Sequence, residues 1–184
     1  MSSSSTNLDA ETSLQVKYAE LVDTNFIIGL SARVQESLTS SGSLQVIGPL
    51  ARTVVETSVA EEHAYLLLLN GQRIASVLVD PLDGTFPNTA EIQHVAWGVL
   101  SLPRPHWYLH ALMLEPAEQG KHFGLTFLDR VLQLIKTKYR SGTVVLDCWA
   151  GNTKLRRFYE DAGFKYQGDF PENDWEISVY VTTL

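Results

Sequence analysis

Residues that could bind an anion lie between an apolar strand and an amphipathic helix in the middle of the chain. The segment from His106 to Leu114 reads HWYLHALML, which is typical of a strand, and a helical pattern of apolar residues begins at about Phe123. The turn Gln119–Gly124 between them would place several backbone N–H groups at the positive end of a helix dipole. The turn therefore predicts an anion site, although an ordinary strand–helix connection has the same pattern.

A second stretch contains a tyrosine that could donate a proton. Asn152 follows the apolar run VVLDCW and is a favourable helix N-cap. Tyr159 lies seven residues later, two helical turns along the same face. A tyrosine hydroxyl at that position can protonate a leaving group. The alternative is a packed aromatic residue whose hydroxyl lies at the rim of the core.

His110 could accept a proton near neutral pH, because an unperturbed histidine titrates near pKa 6.5. The residues that share its strand face by period-two alternation are His106, Tyr108, Leu112 and Leu114. The alternative is a core histidine with satisfied hydrogen bonds. Glu115 is a second candidate base, but alternation places it on the other face unless a β-bulge intervenes.

These stretches need a sheet and helices to position them. Strands are predicted at about 14–18, 64–69, 74–79, 106–114, 143–149, 164–167 and 177–181, and helices at about 24–38, 49–60, 123–138 and 152–161. Asn70-Gly71, between the second and third strands, is a strong signal for a hairpin. The order of elements predicts one α/β domain with a mixed central sheet and helices on both faces.

The composition narrows the class of protein. The chain has 184 residues, with 14 basic and 21 acidic side chains, which argues against a general nucleic-acid binder. No apolar run reaches the roughly 18 residues that a membrane helix needs, so no membrane contact is expected. Cys148 is the single cysteine, which excludes an intramolecular disulfide and favours a reducing, cytoplasmic setting. Neither HExxH nor CxxC occurs, so no metal site is expected.

The N-terminal end of the chain and one internal segment differ in composition from the rest. Residues 1–12 are polar and predict a disordered tail, which leaves residues 13–184 as a single domain. Residues 80–105 contain several prolines and predict a long irregular connection, which in a compact domain is often functional.

The glycine-bearing turn and the Asn152 helix together resemble the Gcn5-related N-acetyltransferase (GNAT) family. The phosphate-binding pattern of that family is Gln or Arg, two residues, Gly, one residue, then Gly or Ala. The turn here, QGKHFG, keeps the first and last positions but has His122 where the family usually has glycine. The stretch DCWAGNTKLRRFYEDAGF fits the family's Asn…Phe-Tyr…Gly-Phe signature.

The resemblance implies a mostly antiparallel sheet in which two parallel strands splay apart and bind acetyl-coenzyme A as co-substrate. The fourth strand would bind the pantetheine arm through Leu112, Met113 and Leu114. The turn would bind the pyrophosphate through the backbone of Gln119, Gly120, Lys121, His122, Phe123 and Gly124. Asn152 would contact the pantetheine and Tyr159 the sulfur. The Cβ of His122 is expected to restrict the backbone and crowd the phosphate.

The resemblance also implies how the reaction proceeds. An amine attacks the thioester directly in a ternary complex, so it must lose a proton, and the leaving thiolate must gain one. Tyr159 is the expected acid. The segment YLHAL resembles the HLHAL segment of arylalkylamine N-acetyltransferases, in which two histidines serve proton removal. His110 matches the second histidine and Tyr108 replaces the first.

The expected function is therefore acetyl transfer to the primary amine of a small molecule. Two alternatives stay open at this stage: acetylation of a protein lysine or N-terminus, and a non-catalytic module that binds acyl-coenzyme A. The sequence is compatible with a monomer or a homodimer, and it does not identify the acceptor amine.

Overall fold

The computed structural model describes residues 13–85, 97–172 and 174–184. The predicted tail of residues 1–12 and much of the proline-rich connection, residues 86–96, lie outside these ranges. The strands are β1 (Leu14–Tyr18), β2 (Ala64–Leu69), β3 (Gln72–Pro81), β4 (His106–Leu114), β5 (Thr143–Trp149), β6 (Lys165–Glu172) and β7 (Trp175–Thr183). The helices are α1 (Thr24–Ser40), α2 (Arg52–Ala60), α3 (Phe123–Tyr139) and α4 (Thr153–Asp161).

The strands form one seven-stranded sheet in the order β1-β2-β3-β4-β5-β7-β6. Neighbouring strands are antiparallel except for β4 and β5, which are parallel. The α/β fold class, the mixed and mostly antiparallel sheet and the parallel pair are thus confirmed.

Helices cover both faces of the sheet. The apolar sides of α3 and α4 pack on one face, where Phe127, Val131 and Ile135 are buried against strand residues such as Leu146. On the other face α1 and α2 pack over the β2–β4 part of the sheet, in a separate core that includes Ile27. Ile47 and Leu50, in the connection between α1 and α2, pack against this second core.

Local signals explain most of the element boundaries. Asn70 and Gly71 both have positive φ (51° and 80°), as a two-residue hairpin turn between β2 and β3 requires. The helix predicted from residue 49 begins only at Arg52. The residues before it are not helical. The backbone N–H groups of Ile47 and Gly48 donate to the Gln35 side chain, and that of Leu50 donates to the Ser31 hydroxyl, both in α1.

Three strands, β3, β6 and β7, are longer than predicted. The third strand extends to Pro81 and so includes Asp80, because its pairing with β4 continues to the Pro81–Trp107 pair. β6 extends to Glu172 although it contains Gly168 and Pro171. β6 is an edge strand and pairs only with β7. An edge strand tolerates proline, because it has no second neighbour that would need the missing N–H.

Candidate active site

A cleft opens where the parallel strands separate. β4 and β5 pair over only three positions, His106–Tyr108 with Thr143–Val145. Beyond them lies a cleft of about 1010 Å3. Among the predicted site residues, those that line it are His110, Leu112, Met113, Leu114, Gln119, Gly120, His122, Gly124, Asn152 and Tyr159. The residues proposed from distant parts of the sequence therefore meet in one place.

A β-bulge in β4 changes which residues face which side. Ser76 pairs with Met113 and Leu78 with His110, so two β4 residues lie opposite one β3 residue, and Ala111 has a positive φ of 50°. The extra residue reverses the alternation. Leu112 and Leu114 pack with the α3 core, and Met113 with the α1–α2 core. The prediction that Leu112 and Leu114 share a face with His110 is wrong for this reason.

The same bulge turns Glu115 toward α1. Its carboxylate accepts two hydrogen bonds from the Arg33 guanidinium, at 2.5 and 3.1 Å. The hydrogen bond to Glu115 raises the pKa of Arg33 above its ordinary value, so the guanidinium stays charged, and the two side chains have ion-pair geometry. A carboxylate committed to a guanidinium is a weaker proton acceptor than an uncommitted one, which argues against Glu115 as the base.

The turn after β4 leads directly into α3. Gly120 has a φ of 80°, and the Gln119 side chain donates to the Leu114 carbonyl at 3.3 Å. His122 is the N-cap residue of α3 and has a φ of 66°, in the left-handed region. The histidine thus takes the backbone conformation that a glycine would take at that position, at a cost of about 1–2 kcal/mol.

Lys121 and Phe123 are the two turn residues that are not among those lining the cleft. Lys121 forms an ion pair with Glu118 at 3.0 Å, and Phe123 packs against the α3 side of the core. A Cβ at Gly124 would come within 3.2 Å of the Phe158 ring, so the absence of a side chain lets α3 and α4 approach each other closely.

α4 begins at the far wall of the cleft. The Asn152 side chain accepts a hydrogen bond from the Leu155 N–H at 3.0 Å, which makes it the helix N-cap predicted from the sequence. Gly151 precedes it because a Cβ there would overlap the Trp149 indole, at 2.4 Å.

Tyr159 is 5 % exposed and lies among aromatic rings, with centroids of Phe158, Phe164 and Tyr180 5.3–6.1 Å away. It also lines the cleft. Burial raises the pKa of its hydroxyl well above the ordinary value. The side chain is therefore protonated at neutral pH, as a proton donor must be.

His110 contacts a buried carboxylate that no sequence pattern indicated. Its Nε2 lies 2.8 Å from Oδ2 of Asp80, a residue with no exposed surface. The Ser58 hydroxyl in α2 lies 3.0 Å from the same oxygen. On its other side the imidazole stacks on the Tyr108 ring, with 5.0 Å between centroids and 7° between planes.

His63 lies on the opposite side of the same carboxylate. Its Nδ1 is 3.4 Å from Asp80 Oδ1, and its Nε2 is 3.3 Å from the Tyr139 hydroxyl. The Asn70-Gly71 hairpin could have indicated this contact, because it pairs β2 with β3 and brings the His63 carbonyl to the Val79 N–H. The Asp80–His110 contact depends on pairing across the long connection between β3 and β4, which no local signal fixes.

Asp147 is a second carboxylate that the sequence did not single out. It lines the cleft from β5, and its Oδ1 accepts a hydrogen bond from the Tyr108 hydroxyl at 2.5 Å. Burial raises the pKa of Asp147 above its ordinary value, partly offset by that hydrogen bond. Burial, together with the Asp147 charge, also raises the pKa of Tyr108.

The connection between α1 and α2 covers one end of the cleft. Its residues Gln45, Val46, Ile47 and Leu50 are among those that line the cavity. The Gln45 side chain accepts a hydrogen bond from the backbone N–H of Trp149, at the end of β5 that is separated from β4, at 2.5 Å. This connection therefore bridges the two sides of the cleft opening.

Other chemistry is not supported by the described parts of the chain. Cys148 is fully buried, and burial raises the pKa of its thiol to about 12, so it is not a nucleophile at neutral pH. Within residues 13–85, 97–172 and 174–184, no three His, Cys, Asp or Glu side chains are grouped to hold a metal ion. Over the same ranges no helix combines the length and apolar character needed to cross a membrane.

Several solved structures that share this fold are acetyltransferases. A GNAT-family acetyltransferase from Listeria monocytogenes superposes with a TM-score of 0.71 at 19% identity, covering 93% of this chain and 95% of that one. Polyamine N-acetyltransferase from Drosophila melanogaster gives 0.66 at 14% identity, with 94% and 100% covered. A ribosomal L7/L12 alpha-N-protein acetyltransferase in complex with coenzyme A gives 0.66 at 12% identity, with 95% and 96% covered.

Sequence comparison gives the family directly. No curated protein matches the chain significantly. The sequence model of the acetyltransferase (GNAT) family matches residues 49–164, more than half of the chain, including the glycine-bearing turn and the Asn152–Phe164 stretch. The chain therefore belongs to the GNAT family and is an N-acetyltransferase that uses acetyl-coenzyme A as its co-substrate.

Proposed function

We propose that the protein transfers acetyl from acetyl-coenzyme A to the primary amine of a small molecule, by direct attack in a ternary complex. The observation that carries the proposal is that His110 and Tyr159 line the same cleft as the glycine-bearing turn. A group that can take a proton and one that can give a proton thus share one cavity with an anion site. The single domain of residues 13–184 carries this activity.

The cleft suits the coenzyme by shape and by its donors. The left-handed residues Gly120 and His122 bring the chain into the start of α3, where backbone N–H groups have no partner within the helix. The pyrophosphate binds there, on the turn Gln119–Gly124, which also carries Lys121 in its ion pair with Glu118. The pantetheine lies along Leu112–Leu114 and near Asn152. When bound, acetyl-coenzyme A supplies the activated acetyl group.

The protein's own residues then move two protons. The incoming amine is protonated at neutral pH, and His110 accepts its proton directly or through one water. Backbone N–H groups beside the bulge, near Met113, stabilise the negative charge that develops on the acetyl oxygen. Tyr159 donates its hydroxyl proton to the leaving sulfur, and the resulting phenolate takes the second proton that the acetylated nitrogen loses as the amide forms. No protein nucleophile is required.

A small acceptor is favoured over a protein by the connection between α1 and α2. The Gln45–Trp149 hydrogen bond spans the cleft opening, and an extended polypeptide would have to displace it. The Drosophila relative is named for polyamines, and another relative of the same fold, at 14% identity, for agmatine. The L7/L12 relative is named for a protein substrate, so the fold serves both classes of acceptor, and it is the Gln45–Trp149 contact that favours a small amine here.

An amine-panel assay tests the proposal. Release of free thiol from acetyl-coenzyme A would be followed with arylalkylamines, polyamines, amino acids and short peptides, each at several concentrations. We expect turnover with at least one small amine and little with peptides. Preferential turnover of peptides would favour the protein acetyltransferase, and coenzyme binding without turnover on any amine would favour the non-catalytic module.

A further inference from the structure

Asp80 is a buried carboxylate that contacts His110, one of the residues lining the cleft. It has no exposed surface, and its two oxygens lie near three side chains from different elements: His110 in β4, His63 before β2 and Ser58 in α2. A carboxylate removed from water is costly unless donors compensate it. Here two imidazoles and a hydroxyl are arranged around one carboxylate.

The contact with Asp80 bears on which nitrogen of His110 carries the proton. An ionised carboxylate only accepts hydrogen bonds, so with Asp80 ionised the nitrogen 2.8 Å from it, Nε2, is the donor. In the neutral imidazole the other nitrogen, Nδ1, is then the one that can accept a proton. Stacking on Tyr108 holds the ring plane. Asp80 and Tyr108 together fix both the tautomer and the orientation of the imidazole.

We propose that Asp80 is a positioning residue for proton removal at His110; this inference rests on the proposed function. In the step, the amine N–H bond breaks and an Nδ1–H bond forms, while Nε2–H stays hydrogen-bonded to Asp80. The positive charge gained by the imidazole lies beside the Asp80 carboxylate, and the proton later leaves to solvent. His63 Nδ1 lies 3.4 Å from the other carboxylate oxygen, on the side of Asp80 away from His110.

The groups that surround His110 set the expected pH dependence. They are Asp80 from β3, Tyr108 on the same strand, Asp147 from β5 and His63 beyond Asp80. Replacing Asp80 with Asn removes the negative charge nearest the imidazole. Protonated His110 then loses a stabilising neighbour, so the acidic limb of kcat/KM moves to lower pH. The Asn amide can also donate to Nε2, which favours the tautomer that cannot accept at Nδ1.

The test compares Asp80→Asn with a matched control. Asp23 is another carboxylate with no exposed surface, held by Arg73 and Lys17 near the end of β1. Both variants lose a buried charge, so both should melt lower than wild type. We expect only Asp80→Asn to lower kcat/KM, by roughly 10²-fold or more, and to shift the acidic limb. An amine of low pKa should recover much of that loss. An unchanged pH profile in folded Asp80→Asn would overturn the proposal.

A second measurement does not depend on turnover or on the variant's folding. The 15N chemical shifts of the wild-type imidazoles, with the His110 signal assigned by its loss in His110→Gln, report which nitrogen is protonated. The Nε2–H tautomer for His110 supports the role of Asp80, and the Nδ1–H tautomer contradicts it. If no amine is turned over, the proposed function fails while this result still decides the Asp80–His110 relationship.

Discussion

The Tyr108 hydroxyl donates to Asp147 Oδ1 at 2.5 Å and links β4 to β5 just beyond their last paired residues, Tyr108 and Val145. This hydrogen bond is the cross-link at the vertex of the cleft. It joins one residue of the strand that carries His110 to a carboxylate on the opposite wall. At this point the two strands are therefore joined by a side-chain hydrogen bond and no longer by backbone pairing.

The raised pKa of Asp147 predicts how stability depends on pH. Burial raises the pKa of this carboxyl in the folded state. The unfolded chain then releases the proton first, so the contribution of Asp147 to stability falls as pH rises from the unfolded pKa through the folded one. We expect Asp147→Asn, which keeps an acceptor for Tyr108, to melt above wild type at pH 7, with the difference shrinking as pH is lowered.

Melting curves across pH measure this effect. Tyr108→Phe serves as the contrasting variant, because it leaves the Asp147 carboxylate without its donor and should lower stability by about 1–3 kcal/mol. A difference between Asp147→Asn and wild type that stays constant from pH 4 to pH 8 would show that burial does not perturb this carboxyl.

The left-handed conformation of His122 predicts a preference for glycine at that position. His122→Gly and His122→Ala both lose the imidazole, but only alanine keeps a Cβ in the left-handed region, where φ is 66°. We expect the glycine variant to be the more stable of the two by about 1 kcal/mol, and to bind the coenzyme at least as well as wild type. Denaturant unfolding of both variants measures the difference. Equal stability of the two would mean that the turn follows another path.

Much of the fold could be predicted because its signals are local. The Asn70-Gly71 turn, the N-cap at Asn152 and the continuous apolar run of β5 each fix an element within a few residues. The lengths of β3 and β6 could not be predicted in this way. The length of β3 depends on its pairing with β4, and that of β6 on its pairing with β7, and neither pairing can be read from the local sequence.

The site was predictable only in part for the same reason. The turn and Tyr159 belong to sequence patterns, whereas strand pairing brings Asp80 to His110 and Asp147 to the cleft. The bulge at Ala111 has no glycine or proline to mark it. Alternation carried through that residue gives the wrong face for Leu112 and Leu114, and it hides the fact that Glu115 turns toward Arg33.

Coenzyme binding should be visible as a thermal shift that depends on the glycine-bearing turn. At a free concentration 100-fold above the dissociation constant, acetyl-coenzyme A should stabilise the wild type by about 2.7 kcal/mol. Gly124→Asp should abolish the shift, because it adds a negative charge to the turn and a Cβ 3.2 Å from Phe158. Gly71→Asp, in the remote hairpin turn, should keep it. No shift in the wild type would contradict the assigned binding site.

Tyr159→Phe tests the proton donor. The variant keeps the packed ring but loses the hydroxyl, so kcat should fall by roughly 10²-fold while the coenzyme thermal shift remains. Tyr180→Phe is the matched control, because Tyr180 packs against Tyr159 while its hydroxyl contacts Arg156 and Glu160. Equal losses in the two variants would point to packing rather than proton donation.

The most direct test of proton removal by His110 is the pH profile of kcat/KM for wild type and His110→Gln, measured with two amines. One amine has an ordinary high pKa, and the other is already neutral at the assay pH. We expect wild type to show an acidic limb, and His110→Gln to lose both that limb and most of its activity toward the high-pKa amine. Activity toward the low-pKa amine should be largely retained. An equal loss toward both amines, with the acidic limb unchanged, would contradict His110 as the base.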